Sequence, residues 1–62
     1  MQIGTLYNTE HYGVVLLKSV SMCNYVGLTE PKFRVEVVVL KDNVVNFAIL
    51  TRSEFTELFS PI

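Results

Sequence analysis

The sequence offers few side chains that could do chemistry: its 62 residues include one histidine, His11, and one cysteine, Cys23. A cysteine next to a histidine can act as a nucleophile, and Glu10 beside His11 has the composition of a general base with its orienting carboxylate. Adjacent residues in a turn point apart, however, and nothing in the chain supplies an oxyanion hole. We therefore predict an exposed turn position for His11, a small buried apolar role for Cys23, and no catalytic residue.

Metal and cofactor sites are not expected from these residue types. One cysteine and one histidine cannot supply the four ligands of a structural zinc site. Glu54 and Glu57 fall early in a predicted helix, where carboxylates complement the helix dipole. The three glycines, Gly4, Gly13 and Gly27, are isolated and form no phosphate-binding loop. We predict no metal ligand, no cofactor and no enzymatic activity.

Three tyrosines, Tyr7, Tyr12 and Tyr25, lie near predicted strand ends. Tyrosines at strand ends usually close the rim of a core and keep their hydroxyls in water. The alternative is that the three side chains converge as the rim of a ligand site.

The charge balance argues against nucleic acid as the expected partner. The net charge is −1, whereas nucleic-acid binders normally carry a basic excess that neutralises phosphates. A local patch of Lys32, Arg34 and Arg52 keeps a small nucleic-acid-binding barrel as an alternative.

We expect one domain over residues 1–62 in the cytoplasm, or in the host cytoplasm if the protein is viral. The longest apolar runs are four residues, against about 20 for a membrane-spanning helix. The N-terminus also lacks the basic and apolar regions of a signal peptide. No membrane association is predicted.

The strongest element is a hairpin from Phe33 to Thr51, interrupted at Lys41–Asn43. Alternate residues on both sides of the interruption are apolar, which is the period of a strand. With a three-residue turn, the alternating apolar residues of both strands would share a single face of the hairpin. We therefore predict the register that this turn gives, with Asn43 in the left-handed conformation. The pairs predicted to face the core are Val39 with Val45, Val37 with Phe47, and Val35 with Ile49.

The opposite face of this hairpin is more apolar than a solvated face requires, which predicts self-association, with a dimer favoured. The alternative is that the terminal helix or the loop at 23–32 covers this face in a monomer. The predicted association face comprises Val38, Leu40, Val44, Ala48 and Leu50.

Upstream of the hairpin, Gln2–Tyr7 predicts a first strand and Asn8–Glu10 a turn. Gly13–Met22 predicts a long second strand that is either central or bent at a barrel corner. Residues 23–32 are predicted to form a loop, and a short strand at Tyr25–Leu28 is an alternative within it.

A short helix is predicted at the C-terminus. Thr51 and Glu54 have the spacing of a capping box, and Phe55, Leu58 and Phe59 then share one helix face. Pro61 is predicted to end this helix, which must dock on the sheet because two turns are not stable alone; we expect it to plug one end of a barrel.

Much of the chain resembles the small SH3-like β-barrel proteins encoded by tailed phages, including marine ones. The resemblance rests on Gly13–Leu17, a loop, Arg34–Leu40, a tight turn, Phe47, and Ser53–Phe55. It implies a mainly β barrel of about five antiparallel strands with a short C-terminal helix, and a binding or assembly role.

Named SH3-like subfamilies fit less well. Thr5–Asn8 is similar to the first-strand motif of eukaryotic SH3 domains, but their polyproline groove needs a tryptophan and this chain has none. A cation-binding aromatic cage would need converging aromatics. We therefore expect a non-enzymatic interaction module that self-associates; the alternatives are the nucleic-acid-binding barrel and an accessory subunit of a larger virion or enzyme complex.

Overall fold

Valine-rich strands dominate the computed structural model, which describes residues 1–23, 27 and 30–62. Within these residues, five strands form one antiparallel sheet in the order β4-β3-β2-β1-β5. The predicted mainly β fold with a short C-terminal helix is confirmed. The elements are β1 (Leu6–Thr9), β2 (Gly13–Cys23), β3 (Lys32–Val39), β4 (Val44–Thr51), α1 (Arg52–Leu58) and β5 (Ser60–Pro61).

The core lies against one face of this sheet, called here the inner face. It is centred on β2 and β3, whose alternate valines and leucine are almost completely buried, and is completed by residues of β1, β4 and α1. Burial of these apolar side chains is the main stabilising term for so small a chain. The buried residues are Tyr7, Val15, Leu17, Val35, Val37, Val39, Leu50 and Phe55.

The long strand β2 runs through the middle of the sheet, between β1 and β3. Its register with β3 shifts between Leu17 and Ser19, so Lys18 is the extra residue of a bulge, which increases local bending. The prediction of a long second strand is confirmed, with its end one residue later at Cys23, and of the two predicted alternatives the structure has the central position.

The predicted three-residue turn of the β3–β4 hairpin is wrong. Val39 pairs with Val44 and Val35 with Ala48, so four residues, 40–43, connect the strands. This one-residue shift turns β4 over. Asn43 does take the predicted left-handed conformation, with φ 53°.

As a consequence, half of the predicted core set points outward. The valines of β3 are buried as predicted, but Val45, Phe47 and Ile49 are exposed, Phe47 to 61%. Because both faces of β4 carry apolar side chains, the hydrophobic pattern alone does not select the register.

The first strand begins later than predicted, at Leu6 instead of Gln2, and continues to Thr9. The turn accordingly moves from residues 8–10 to residues 10–12. The Thr9 hydroxyl explains the shift, because it donates to the Gly13 carbonyl and accepts from the Tyr12 N–H, both at 3.0 Å.

The predicted loop at 23–32 is only partly described. The optional strand at Tyr25–Leu28 lies outside the described residues, apart from Gly27.

The predicted capping box is confirmed. The Thr51 hydroxyl accepts from the Glu54 N–H, and the Glu54 carboxylate accepts from the Thr51 N–H. Phe55 is buried, whereas Leu58 is half exposed. The helix ends at Leu58, and Pro61 lies in β5, paired with Tyr7.

The helix docks on the sheet through aromatic contacts. The Phe55 ring lies edge-on to Tyr7, with centroids 5.3 Å apart, and stacks on Phe59 at 4.5 Å. Within the described residues the sheet is open, with β4 and β5 at its edges. The one helix described is too short to cross a membrane.

Candidate interaction surface

The outer face of the sheet carries an apolar row that crosses four strands. Leu6 pairs with Leu16, Leu16 with Val38, and Val38 with Val45. Directly opposed residues of antiparallel strands point to the same face, so these four side chains form one continuous band facing away from the core.

Four further side chains widen this band into what we call the outer patch. Phe47 and Ile49 continue it along β4, and Val14 and Leu40 flank it at the other end, where the Leu40 N–H donates to the Val14 carbonyl. The eight members of the outer patch are Leu6, Val14, Leu16, Val38, Leu40, Val45, Phe47 and Ile49.

Six members of the outer patch are between 37% and 61% exposed. Together they present on the order of 500 Å² of apolar surface, and contiguous patches of that size often mark protein-interaction sites.

The outer patch overlaps only in part with the association face predicted from sequence. Val38 and Leu40 belong to it. Ala48 and Leu50 point to the inner face, where Leu50 is buried, and Val44 shares the side of the buried Val39. The predicted face therefore combined the outer side of β3 with the inner side of β4, for the same reason that the turn length was wrong.

One ion pair lies at the border of the outer patch. The Arg34 guanidinium donates to the Glu36 carboxylate and also lies over the Phe47 ring, 4.5 Å from its centroid. The hydrogen bond from Arg34 holds the pKa of the Glu36 carboxyl below its ordinary value. Arg34 is thus engaged by a carboxylate and an aromatic ring, and packs over the apolar surface.

The edge strand β4 is the second notable part of this surface. Its eight residues, Val44–Thr51, include no charged side chain. Among the described residues its only strand neighbour is β3, so one row of backbone N–H and C=O groups faces away from the sheet. Natural edge strands are usually protected by charges, prolines or bulges, and β4 has no charge or proline.

Carboxylates lie among the basic residues predicted as a nucleic-acid patch. Lys32 pairs in the sheet with Thr51, the residue before Arg52. Arg34 is bound by Glu36, Lys32 lies near Glu54, and the Arg52 guanidinium lies 5.8 Å from the Phe33 ring centroid.

Two members of the predicted tyrosine rim, Tyr7 and Tyr12, lie in the described residues. Tyr7 is buried beside Phe55, and its hydroxyl accepts from the Gln2 N–H at 3.3 Å. Tyr12 is 44% exposed beside His11, at a cleft of about 110 Å³ that Ala48, Leu50, Leu58 and Phe59 also line. Tyr25 lies outside the described residues.

His11 and Cys23 are placed at opposite ends of β2. His11 is exposed in the turn that precedes Gly13, and Cys23 is half-buried at the last position of the strand, so roughly 30 Å of strand separates them. Glu54 caps the helix, and Glu57 is exposed on it. The described residues contain no group of histidine, cysteine and carboxylate side chains that could hold a metal ion.

Comparison of the chain with protein-family models, with curated proteins and with solved structures finds no match.

Proposed function

We propose that this protein is a small non-enzymatic interaction module that associates with copies of itself through the outer patch. The observation that carries the proposal is the apolar row from Leu6 to Val45, which leaves half-exposed leucine and valine side chains on the face that the core does not use. A chain of this size has a thin margin of stability, and burying this face against a second copy would add to it.

The assignment to the SH3-like class belongs to the same proposal. It is supported by the consecutive pairing of β1 to β4, by the long bulged β2, and by the return of β5 to β1 after a short helix. The sequence resemblance to small proteins of tailed phages adds a phage origin and an assembly role.

The non-enzymatic part of the proposal is supported by the separation of His11 from Cys23, which prevents them from acting as a pair. The outer patch, in contrast, is built from side chains that bind by surface burial and do no bond chemistry.

Leu40→Glu tests the proposal, because it places a charge on the outer patch without touching the core. We expect the variant to sediment at a lower mass than the parent, which sediments as an oligomer. Ile3→Glu is the matched control, since Ile3 is 61% exposed in a turn outside the strands. Equal association of parent, variant and control would contradict a role for the outer patch.

A further inference from the structure

We propose that two copies pair edge to edge through β4, antiparallel and two-fold symmetric, with Phe47 at the axis. This inference rests on the proposed self-association and specifies its geometry. No other described strand pairs with the outer edge of β4, and the occupant that we propose for it is the β4 strand of a second copy.

Symmetry restricts how two β4 strands can pair. A two-fold axis between antiparallel copies of one strand is perpendicular to the sheet, so outer-face residues oppose outer-face residues. The outer-face residues within β4 that are apolar, Val45, Phe47 and Ile49, are themselves symmetric about Phe47. An axis there opposes Phe47 with its own copy and Val45 with Ile49 of the second copy, which are favourable cross-strand pairs.

Of the registers centred on Phe47 and on Ala48, the charges of Asp42 and Arg52 favour the first. The turn before β4 carries Lys41 and Asp42, and the helix after it begins with Arg52. With the axis at Phe47, Asp42 of each copy reaches the strand end that carries Arg52 of the other. Moving the axis to Ala48 would instead bring Asp42 toward Glu54 of the second copy, which is repulsive.

The uncharged sequence of β4 also favours a second copy over a charged partner. No like charges meet when two such strands lie side by side, and a charged segment would find no counterion along the strand.

Area gives an independent argument. A stable interface buries about 800 Å² per partner, more than the apolar surface of one outer patch. Edge pairing places the outer patches of two copies side by side across the axis, as one apolar surface of about twice the area. Such a surface is large enough for one edge-paired dimer to pack face to face on another.

A cysteine at the axis tests the register directly. Directly opposed residues have Cα atoms about 4.5–5.5 Å apart, within the range of a disulfide. In a Cys23→Ser background we expect Phe47→Cys to oxidise to a covalent dimer at least tenfold faster than Ile3→Cys, whose parent residue has the same 61% exposure. Equal rates would overturn the edge pairing.

A charge exchange tests the same geometry and leaves the β4 sequence intact. It therefore tests the edge pairing even in the case that the cysteine variant does not fold. We expect Asp42→Arg and Arg52→Asp each to raise the dimer dissociation constant roughly tenfold. The double variant should return to within about threefold of the parent, because the pair is restored with its signs reversed. No recovery in the double variant would overturn the pairing.

These outcomes are distinguishable from failure of the proposed function. A parent that sediments as an oligomer, without fast Phe47→Cys oxidation or charge recovery, retains association through the outer patch and excludes the β4 edge. A parent that stays monomeric excludes both.

Discussion

The Arg34 guanidinium lies over the Phe47 ring on the outer face of the sheet, 4.5 Å from the ring centroid. This contact exists only because Phe47 opposes Glu36 in the hairpin. A shift of one residue would place the ring in the core and leave Arg34 without it. The register of the β3–β4 hairpin thus decides both what the core contains and what the protein presents to a partner.

Phe47→Ala should have little effect on the stability of the isolated chain. Phe47 is 61% exposed, and the change removes a surface cation–π contact worth about 0.5–1 kcal/mol. Chemical denaturation at high dilution, where association is minimal, would measure it. A loss of several kcal/mol would mean that Phe47 lies in the core.

Leu17→Ala should unfold most of the population. Leu17 is fully buried at the centre of β2, and truncating a core leucine costs about 2–5 kcal/mol, comparable to the whole stability of a domain this small. Thermal unfolding followed by circular dichroism would show it. Leu58→Ala, the same substitution at a half-exposed helix position, is the control and should melt close to the parent.

Some features of the fold could be predicted from the sequence and others could not. The capping box at Thr51 and Glu54 is a local pattern, fixed by residues three apart. The side of β4 that faces the core was not predictable in this way, because Val44 and Val45 are equally apolar. The strand at Ser60–Pro61 has no strand-like composition and forms because the helix returns the chain to the free edge of β1, where proline is tolerated.

The residues of the outer patch also divide into those that the sequence could predict and those that it could not. Val38 and Leu40 were predicted to face outward because alternation along β3 is clear on its own. Their neighbours on β4 depend on pairing across the hairpin, which a sequence pattern with two apolar faces does not determine.

Acid should weaken the C-terminal helix through Glu54. The hydrogen bond that its carboxylate accepts from the Thr51 N–H holds its pKa below the ordinary value of 4.5. The carboxylate is therefore stabilising above that pH, and its contribution is lost as the pH falls through the lowered pKa of the folded state.

Glu54→Gln should remove that part of the pH dependence. We expect the unfolding free energy of the parent to fall more steeply below pH 4.5 than that of the variant. Glu57→Gln, which removes a carboxylate from the same helix but leaves the capping box intact, should keep the slope of the parent. Identical slopes for all three proteins would contradict a stabilising role for the Glu54 carboxylate.

The central claim, that the outer patch mediates self-association, is tested most directly by the solution mass of the parent protein. Sedimentation equilibrium at tens of micromolar should give at least twice the chain mass of 7.1 kDa, falling toward the monomer on dilution and in the Leu40→Glu variant. A mass of one chain that does not change with concentration would contradict the account.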